Sequence, residues 1–219
     1  MKATREREFW TPEPLYAGQT VFVIGGGPSL KGFDFNSLAG LRVLATNVAA
    51  HDVEHLAPAP DWFFIDPNIF DDNAALVQRW PGRIYTASRR AKGQMPDRLF
   101  RIDQVHRPDF APPGSPVIRS GRSSGHVAIS LAITMGAARV VLLGFDCRPS
   151  ADGASHYHDR YKRGPDDPAL YIREFLPSFD GWHRAARRIG AEVVNATPDS
   201  AVIEFPHVEI ADEIAAARA

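Results

Sequence analysis

The sequence predicts a doubly wound α/β domain with a mostly parallel sheet. Short apolar segments recur along the chain, and most lack the alternation of polar and apolar residues that marks a half-buried strand. Such runs are typical of parallel strands buried on both faces. The 219 residues are enough for one sizeable core but tight for two domains. The strands are predicted at residues 20–25, 42–46, 61–66, 83–87, 139–145 and 191–195.

Helical patterns lie between these strands, and this alternation predicts a three-layer arrangement. Val127, Leu131 and Met135 share one face of a helix predicted over residues 124–136, because they recur every four residues. Pro177 is expected to kink or divide a longer helical pattern. The other helices are predicted at residues 69–80, 168–189 and 210–219.

Three segments fall outside this alternation. Residues 1–19 are predicted to form an N-terminal arm, because two prolines discourage regular structure there, and residues 20–219 form the single domain. Residues 88–122 are rich in proline and arginine with little periodicity, and residues 146–167 are polar. Both segments follow predicted strands. Loops at the carboxyl ends of parallel strands often bind ligands, so we expect these two loops to cover a site.

Composition indicates an ordinary globular protein, with 44% hydrophobic and 23% charged residues. The formal net charge of -1 gives no general attraction to nucleic acid or to membranes. Cys147 is the one cysteine in the sequence, which rules out an internal disulfide. The sequence has no apolar signal core at its first residues and no apolar run of membrane-spanning length. We therefore expect a cytoplasmic protein without a membrane span.

A glycine-rich turn follows the first predicted strand and suits a phosphate group, because glycines let a ligand approach the main chain. It is not a dinucleotide fingerprint: Leu30 stands where the third glycine belongs, and the second strand ends in the neutral Asn47. A plain tight turn that needs glycine is an equally good interpretation. The predicted binding residues of this turn are Gly25, Gly26, Gly27, Pro28 and Ser29.

Polar side chains follow three further predicted strands. Asn47 ends the second strand, Asp66 and Asn68 follow the third, and Asp146 follows the fifth. Amide and carboxylate groups at one sheet edge can read a base and a ribose by hydrogen bonds. The alternative is that each of them caps a helix or turn. For any one of these residues the capping interpretation is favoured, and for the four strand ends together the shared-site interpretation gains support.

The start of the helix at 124–136 is a second predicted anion cradle, by which we mean a backbone turn whose N–H groups can hold an anion. The glycine-rich turn at 25–29 is the first. Ser124 and Gly125 leave N–H groups exposed at a positive helix end, and Arg119 and Arg122 add charge. An ordinary helix cap with a flexible lead-in is the alternative. His126 is expected in the first turn of this helix, near the pocket.

A histidine-rich stretch follows the fifth strand. His156 or His158 can act as a general base toward an acceptor hydroxyl, and Tyr161 can donate to a phosphate oxygen. Two alternatives stand beside this: a solvated polar loop, and a divalent metal site that the histidines form with Asp146 or Asp152.

Four segments together resemble bacterial lipooligosaccharide sialyltransferases. The same outline is similar to Maf-type flagellin glycosyltransferases, an archaeal 6-hydroxymethylpterin diphosphokinase, and small phage and prophage proteins. The resemblance touches most of residues 20–205. Its segments are GGGPSLK at 25–31, FIDPNIF at 64–70, SGHVAISLAITMGAARVVLLGFD at 124–146 and NATPDSA at 195–201.

The resemblance implies a Rossmann-like fold that binds a CMP-activated nonulosonic acid, usually without a metal cofactor, in a chain that forms homo-oligomers. It places Gly26, Asn47, Asp66, Ser124 and Gly125 in the cytidine nucleotide pocket. This sequence departs from the family at three points: Asp66 replaces an asparagine, Cys147 and Arg148 follow the strand where the family has a tyrosine, and the histidines come early. Arg148 is therefore expected to bind phosphate in the place of that tyrosine.

The expected function is a glycosyltransferase that uses a nucleotide-activated, CMP-linked sugar and an acceptor of unknown class. Its catalytic residues would be His156, His158, Arg148 and Tyr161. One alternative is a diphosphokinase like the pterin enzyme, which would need ATP and Mg²⁺ held by Asp146 and other carboxylates. The other is a non-catalytic phage accessory protein that kept the fold and lost the reaction.

Overall fold

The computed structural model describes residues 9–88, 98–107, 109–161 and 167–219. Within these residues the chain forms two parallel sheets. The large sheet has seven strands in the order β5-β4-β3-β2-β1-β8-β9, and β6 pairs with β7 in a small sheet. The strands are β1 (Thr20–Ile24), β2 (Arg42–Thr46), β3 (Asp61–Phe64), β4 (Ile84–Thr86), β5 (Leu99–Arg101), β6 (Asp103–His106), β7 (Val117–Ser120), β8 (Arg139–Leu143) and β9 (Glu192–Asn195).

All neighbouring strands of the large sheet run parallel, which confirms the predicted α/β class and a Rossmann-like doubly wound fold. The six predicted strands are β1, β2, β3, β4, β8 and β9, each with bounds within about two residues of the prediction. The order of the chain through the sheet reverses at β1, which lies between β2 and β8. In such sheets, ligands bind outside the carboxyl ends of the strands at this point of reversal.

The segment 88–122 differs from its prediction as an irregular loop. It contains β5, β6 and β7, while its residues 89–97 and 108 lie outside the described part of the chain. These strands are three or four residues long and carry mixed polar and apolar side chains. Pairing with β4 forms β5, and β6 and β7 pair with each other, so no local pattern marks them.

Helices and helical turns cover both faces of the sheet. The predicted helix at 69–80 is divided at Asn73, whose side-chain amide donates to the carbonyl of Ile69. The predicted helix at 168–189 is divided into four pieces: α5, a π-helical turn at Tyr171–Phe175, a 3-10 turn at Leu176–Phe179, and α6. The helices are α1 (Ala50–Val53), α2 (Pro67–Asp72), α3 (Ala74–Arg79), α4 (Ser124–Thr134), α5 (Pro168–Leu170), α6 (Trp182–Arg188) and α7 (Ile210–Arg218).

The hydrophobic core lies in two layers, one on each face of the sheet. Val21 and Val23 of β1 pack with α4 and α6, whereas Phe22 and Ile24 pack with α1, α2, α3 and α7. All four side chains are buried, which explains why the strand shows no polar alternation.

The described part of the N-terminal arm has no helix or strand, as its prolines predict. It nevertheless packs on the domain. Tyr16 is fully buried and donates a hydrogen bond of 2.5 Å to the carboxylate of Asp61, and Trp10 packs against Tyr85 and Phe100. The helices formed by the described residues include none that is long and apolar enough to cross a membrane.

Candidate functional site

A cavity of about 330 Å³ lies at the carboxyl edge of the sheet, where the chain order reverses. The loops after β1, β2, β3 and β8 form its walls together with the start of α4. The structure brings most of the predicted site residues to this cavity, and the ones that line it are Gly25, Gly26, Gly27, Pro28, Asn47, Asp66, Ser124, Gly125, Asp146, Arg148, His156 and Tyr161. Three others, Ser29, Asn68 and His158, do not line it.

The glycine-rich turn after β1 directs three of its N–H groups to acceptors inside the protein. The N–H of Gly25 donates to Leu143, that of Gly27 to Gly144, and that of Ser29 to the Asp146 carboxylate at 2.8 Å. The Ser29 hydroxyl donates to the other oxygen of Asp146, also at 2.8 Å. The anion held by this turn is therefore the protein's own carboxylate, and Ser29 supports the cavity wall without lining it.

Close packing also explains two of the three glycines of the turn. A Cβ at Gly25 would lie 2.5 Å from the Gly144 carbonyl oxygen, and one at Gly27 would lie 1.9 Å from the Asp146 carboxylate. Both clashes are with the protein itself, so close packing alone accounts for these two glycines, as the tight-turn interpretation describes. At Gly26 the nearest atom to an added Cβ is the His156 Nδ1 at 3.5 Å, an ordinary contact.

Asp146 is buried beside this turn, and its surroundings have opposing effects on the pKa of its carboxyl group. Burial raises the pKa of the carboxyl group above its usual range, while the hydrogen bonds from Ser29 and the charge of Arg148 oppose that rise. Its two oxygens are occupied by Ser29. Asp146 thus has a structural role in joining the loops after β1 and β8.

The start of α4 differs from that turn because it keeps free donors. Ser123 is the N-cap residue and accepts from the N–H of His126. The N–H groups of Ser124 and Gly125 have no acceptor among the residues that the structure describes. Arg122 lines the cavity beside them and, within the same described residues, makes no hydrogen bond or ion pair. This end of the cavity can hold an anion.

Arg148 adds a second cationic side chain at the rim. It lines the cavity, is exposed, and has no hydrogen bond or ion pair with the described part of the protein. Two guanidinium groups without a partner in the described ranges lie on one cavity, and such groups suit the planar, multidentate recognition of phosphate or carboxylate.

Asn47 brings an unsatisfied acceptor to the cavity. Its backbone has a φ of 51°, a left-handed conformation that asparagine tolerates, and its carbonyl oxygen accepts a 2.7 Å hydrogen bond from the Trp62 indole. The side-chain oxygen Oδ1 is buried and has no hydrogen-bond partner among the described residues. A buried acceptor without a donor is costly, so this oxygen is suited to a ligand N–H group.

Cys147 also lines the cavity with a left-handed backbone, at a φ of 48°. Burial raises the pKa of its thiol to about 12, with a further contribution from the charge of Asp146. The thiol is therefore protonated near neutral pH and is a poor nucleophile.

Asp66 and Asn68 act as the turn residues that the alternative interpretation describes. The Asp66 carboxylate accepts from the N–H of Asn68 at 2.9 Å and caps α2. Asp66 still lines the cavity, whereas Asn68 is exposed and lies outside its lining.

His156 is the histidine that the fold brings to the cavity. Its Nδ1 lies 3.2 Å from the carbonyl oxygen of Gly26. A carbonyl only accepts, so Nδ1 carries the hydrogen in this contact. The Tyr161 ring packs edge-on against it at 4.7 Å. These two contacts hold the ring in place, and a base role at this ring would fall to Nε2.

His158 is parallel to His156 but does not line the cavity. The two ring planes differ by 5°, with centroids 5.5 Å apart, as expected for alternate residues that point the same way. The pKa of His158 is lowered to about 4, mainly by burial and in smaller part by the charges of His156 and Arg160. It is therefore neutral near pH 7 and serves as packing beneath His156.

Asp52 of α1 ties the histidine-rich loop to the domain. Its carboxylate accepts two 2.6 Å hydrogen bonds from the Arg160 guanidinium and one of 2.6 Å from the Tyr157 hydroxyl. Since Tyr157 lies between the two histidines, this contact fixes the loop that carries His156. No local pattern predicts this contact, because Asp52 is more than 100 positions away from both partners.

The wall formed by Leu170, Tyr171, Phe175 and Phe179 was missed by the sequence analysis. Its aromatic residues recur every four positions, which is also the pattern of an ordinary buried helix face. Nothing in that spacing distinguishes a cavity wall from a core.

The proposed metal site is not assembled by the structure. The described residues include no group of three or more His, Cys, Asp or Glu side chains that could hold a metal ion. Asp146 is bound by Ser29, and Asp152 accepts from the Ser150 hydroxyl in its own loop.

No protein-family model matches this sequence, and no curated protein or solved structure matches it. The resemblance to sialyltransferases therefore stays a prediction, and the functional conclusion rests on the geometry of the cavity.

Proposed function

We propose that this protein is a glycosyltransferase that takes its sugar from a CMP-linked donor. The observation that carries the proposal is an open anion site beside an oriented base. Arg122, Arg148 and the N–H groups of Ser124 and Gly125 are without partners among the described residues, and His156 lines the same cavity. A volume of about 330 Å³ lies within the range of small-molecule sites, which is about 300–1,000 Å³.

The donor phosphate would lie at the start of α4, between Arg122 and Arg148. The carboxylate of Asp146 occupies the glycine-rich turn, so the turn would bound the donor without binding its phosphate. Asn47 Oδ1 would accept from the exocyclic amino group of cytosine, which accounts for its lack of a partner among the residues that the structure describes.

The transfer would begin when His156 Nε2 takes the proton of an acceptor hydroxyl. The hydroxyl oxygen then bonds to the anomeric carbon of the sugar. The bond from that carbon to the phosphate oxygen breaks, and its electron pair leaves with CMP. The two arginines and the helix N-terminus would stabilise the negative charge that develops on the phosphate.

The first test is the melting temperature of the protein with CMP, CDP, UDP, GDP and ATP, each with and without Mg²⁺. A ligand that binds the folded state raises the melting temperature by mass action. An increase with CMP in the absence of metal supports the proposal. An increase only with ATP and Mg²⁺ points to the diphosphokinase, and no increase with any nucleotide leaves the non-catalytic binding protein ahead.

The second test is turnover of a labelled CMP-sugar by His156→Asn. The asparagine amide can still donate to the Gly26 carbonyl but cannot act as a base, and loss of a general base costs about 10²–10⁴-fold in rate. The control is His55→Ala, an exposed histidine outside the cavity lining, which should retain the wild-type rate. Equal rates in wild type and His156→Asn would exclude this role for His156.

A further inference from the structure

A second cavity, of about 380 Å³, continues the first along the same sheet edge. It is lined by Ile65, Ala87 and Ile102, which come directly after β3, β4 and β5. Ile65 and Arg122 line both cavities. The two therefore share a wall, and the guanidinium of Arg122 belongs to that wall.

The polar side of the second cavity comes from β6. The hydrogen bonds that β6 already makes show which of its polar atoms are left for a ligand. The Gln104 side-chain amide donates to the Ser120 hydroxyl at 2.8 Å, and its backbone N–H donates to Asp103 Oδ1 at 2.9 Å. The Nδ1 of His106 lies 3.0 Å from the Gly121 carbonyl oxygen, so it carries the hydrogen.

The groups left over are hydrogen-bond acceptors. Gln104 Oε1, Asp103 Oδ2 and His106 Nε2 have no partner within the described residues, and Arg122 is the one donor side chain of the lining without a partner there. Several acceptors beside a single guanidinium suit a ligand that carries several hydroxyl groups. The carboxylate of Asp103 disfavours an anion, and the charge of Arg122 disfavours a cation.

The apolar side of the second cavity suits the same class of ligand. Phe9, Ala87 and Ile102 form this side, and none of them carries a charge. The C–H face of a sugar ring packs well on such apolar surfaces. A sugar ring combines that face with a rim of hydroxyl groups.

We infer that the second cavity binds the acceptor and that this acceptor is a neutral, hydroxyl-rich molecule such as a saccharide. The inference rests on the proposed function, because it takes the first cavity as the donor site. Arg122 then contacts the donor phosphate on one side and an acceptor hydroxyl on the other, which brings the reacting oxygen to the donor. Holding both substrates at one wall is how a transferase makes the reaction effectively unimolecular.

The test is saturation-transfer NMR on the whole protein with galactose, N-acetylgalactosamine and lactose as probes. Galactosamine and galactose 6-phosphate serve as the charged comparisons. At least one neutral saccharide should bind, and more tightly than its charged counterpart. Gln104→Leu and Asp103→Asn should each weaken that binding by about 3–10-fold, since each changes one acceptor.

The controls separate this inference from the proposed function. Both variants should keep the wild-type CMP effect on melting temperature, and Arg184→Gln, an exposed arginine outside both cavities, should keep saccharide binding as well. If CMP binds but no neutral saccharide does, or the variants bind saccharide like wild type, the inference is wrong and the donor site stands. If saccharide binding depends on Gln104 and Asp103 but no nucleotide binds, the saccharide site stands and the proposed transferase is wrong.

Discussion

Two parts of this cavity have sequences that predict the same chemistry, and the fold treats them differently. The glycine-rich turn at 25–29 and the start of α4 at 123–125 are both predicted anion cradles. In the first, Ser29 and Gly27 donate to Asp146 and Gly144 of the neighbouring loop. In the second, the N–H groups of Ser124 and Gly125 keep no partner among the described residues. A cradle pattern fixes the shape of the backbone, while the rest of the fold decides whether the anion is internal or a ligand.

The largest expected effect is on stability, and it comes from adding a side chain to the glycine-rich turn at 25–29, whose anion is the carboxylate of Asp146. In Gly27→Ala the new Cβ would lie 1.9 Å from Asp146 and 2.7 Å from the Gly144 carbonyl oxygen. We expect a loss of about 3 kcal/mol or more in the free energy of unfolding, measured by urea denaturation. Gly26→Ala is the matched control, because its Cβ meets nothing closer than 3.5 Å. Equal stability of the two variants would contradict the close packing of Asp146 and Gly144 against this turn.

The next effect concerns pH at the start of α4. Burial lowers the pKa of His126 to about 3, whereas an unfolded chain keeps a histidine near about 6.5. As the pH falls below about 6.5, the unfolded state binds a proton that the folded state does not, so stability decreases. This should remove about 2–3 kcal/mol between about pH 7 and about pH 4.5.

The measurement is urea denaturation at both pH values for wild type and His126→Asn. Asparagine can keep a hydrogen bond to the Ser123 hydroxyl, which lies 2.7 Å from His126 Nδ1, but it does not titrate. The pH-dependent loss should be smaller in the variant by that amount. An unchanged loss would show that His126 is not the group responsible.

A smaller effect compares one serine from each cradle. Ser29→Ala removes the hydroxyl that donates to Asp146, and a hydrogen bond to a charged group contributes about 1.5–3 kcal/mol. The Ser124 hydroxyl makes no hydrogen bond with the described residues, so Ser124→Ala should change the free energy of unfolding by less than about 0.5 kcal/mol. The measurement is thermal or urea unfolding. Similar losses of unfolding free energy from both substitutions would show that the two cradles do not differ in their internal hydrogen bonds.

The smallest effect tests whether the second cradle binds an external anion. Inorganic phosphate at about five times its Kd should stabilise the wild type by about 1 kcal/mol. Arg122→Gln should abolish most of this gain, and Arg184→Gln should keep it. The measurement is melting temperature against phosphate at constant ionic strength. A gain that survives in Arg122→Gln would place the anion elsewhere.

Much of the fold was predictable because its signals are local. The apolar runs of β1, β2, β3, β4, β8 and β9 are continuous, and the cap and four-residue spacing of α4 lie within a few turns of chain. β5, β6 and β7 were not predictable, because strands of three or four residues with mixed side chains depend on their partners. Most predicted site residues reach the cavity for a related reason: parallel strands deliver their carboxyl ends to one edge.

The order and character of neighbouring residues were enough to predict the α/β class, the sheet edge that carries the polar loops and the places of the two anion cradles along the chain. Only the tertiary structure decided that Asp146 closes the first cradle from 117 positions away, and that Asp52 holds the loop of His156. It also decided that Arg122 lies between two cavities. Hydrogen bonds and charges act through space, so the partner of a polar group is known only when distant segments have packed.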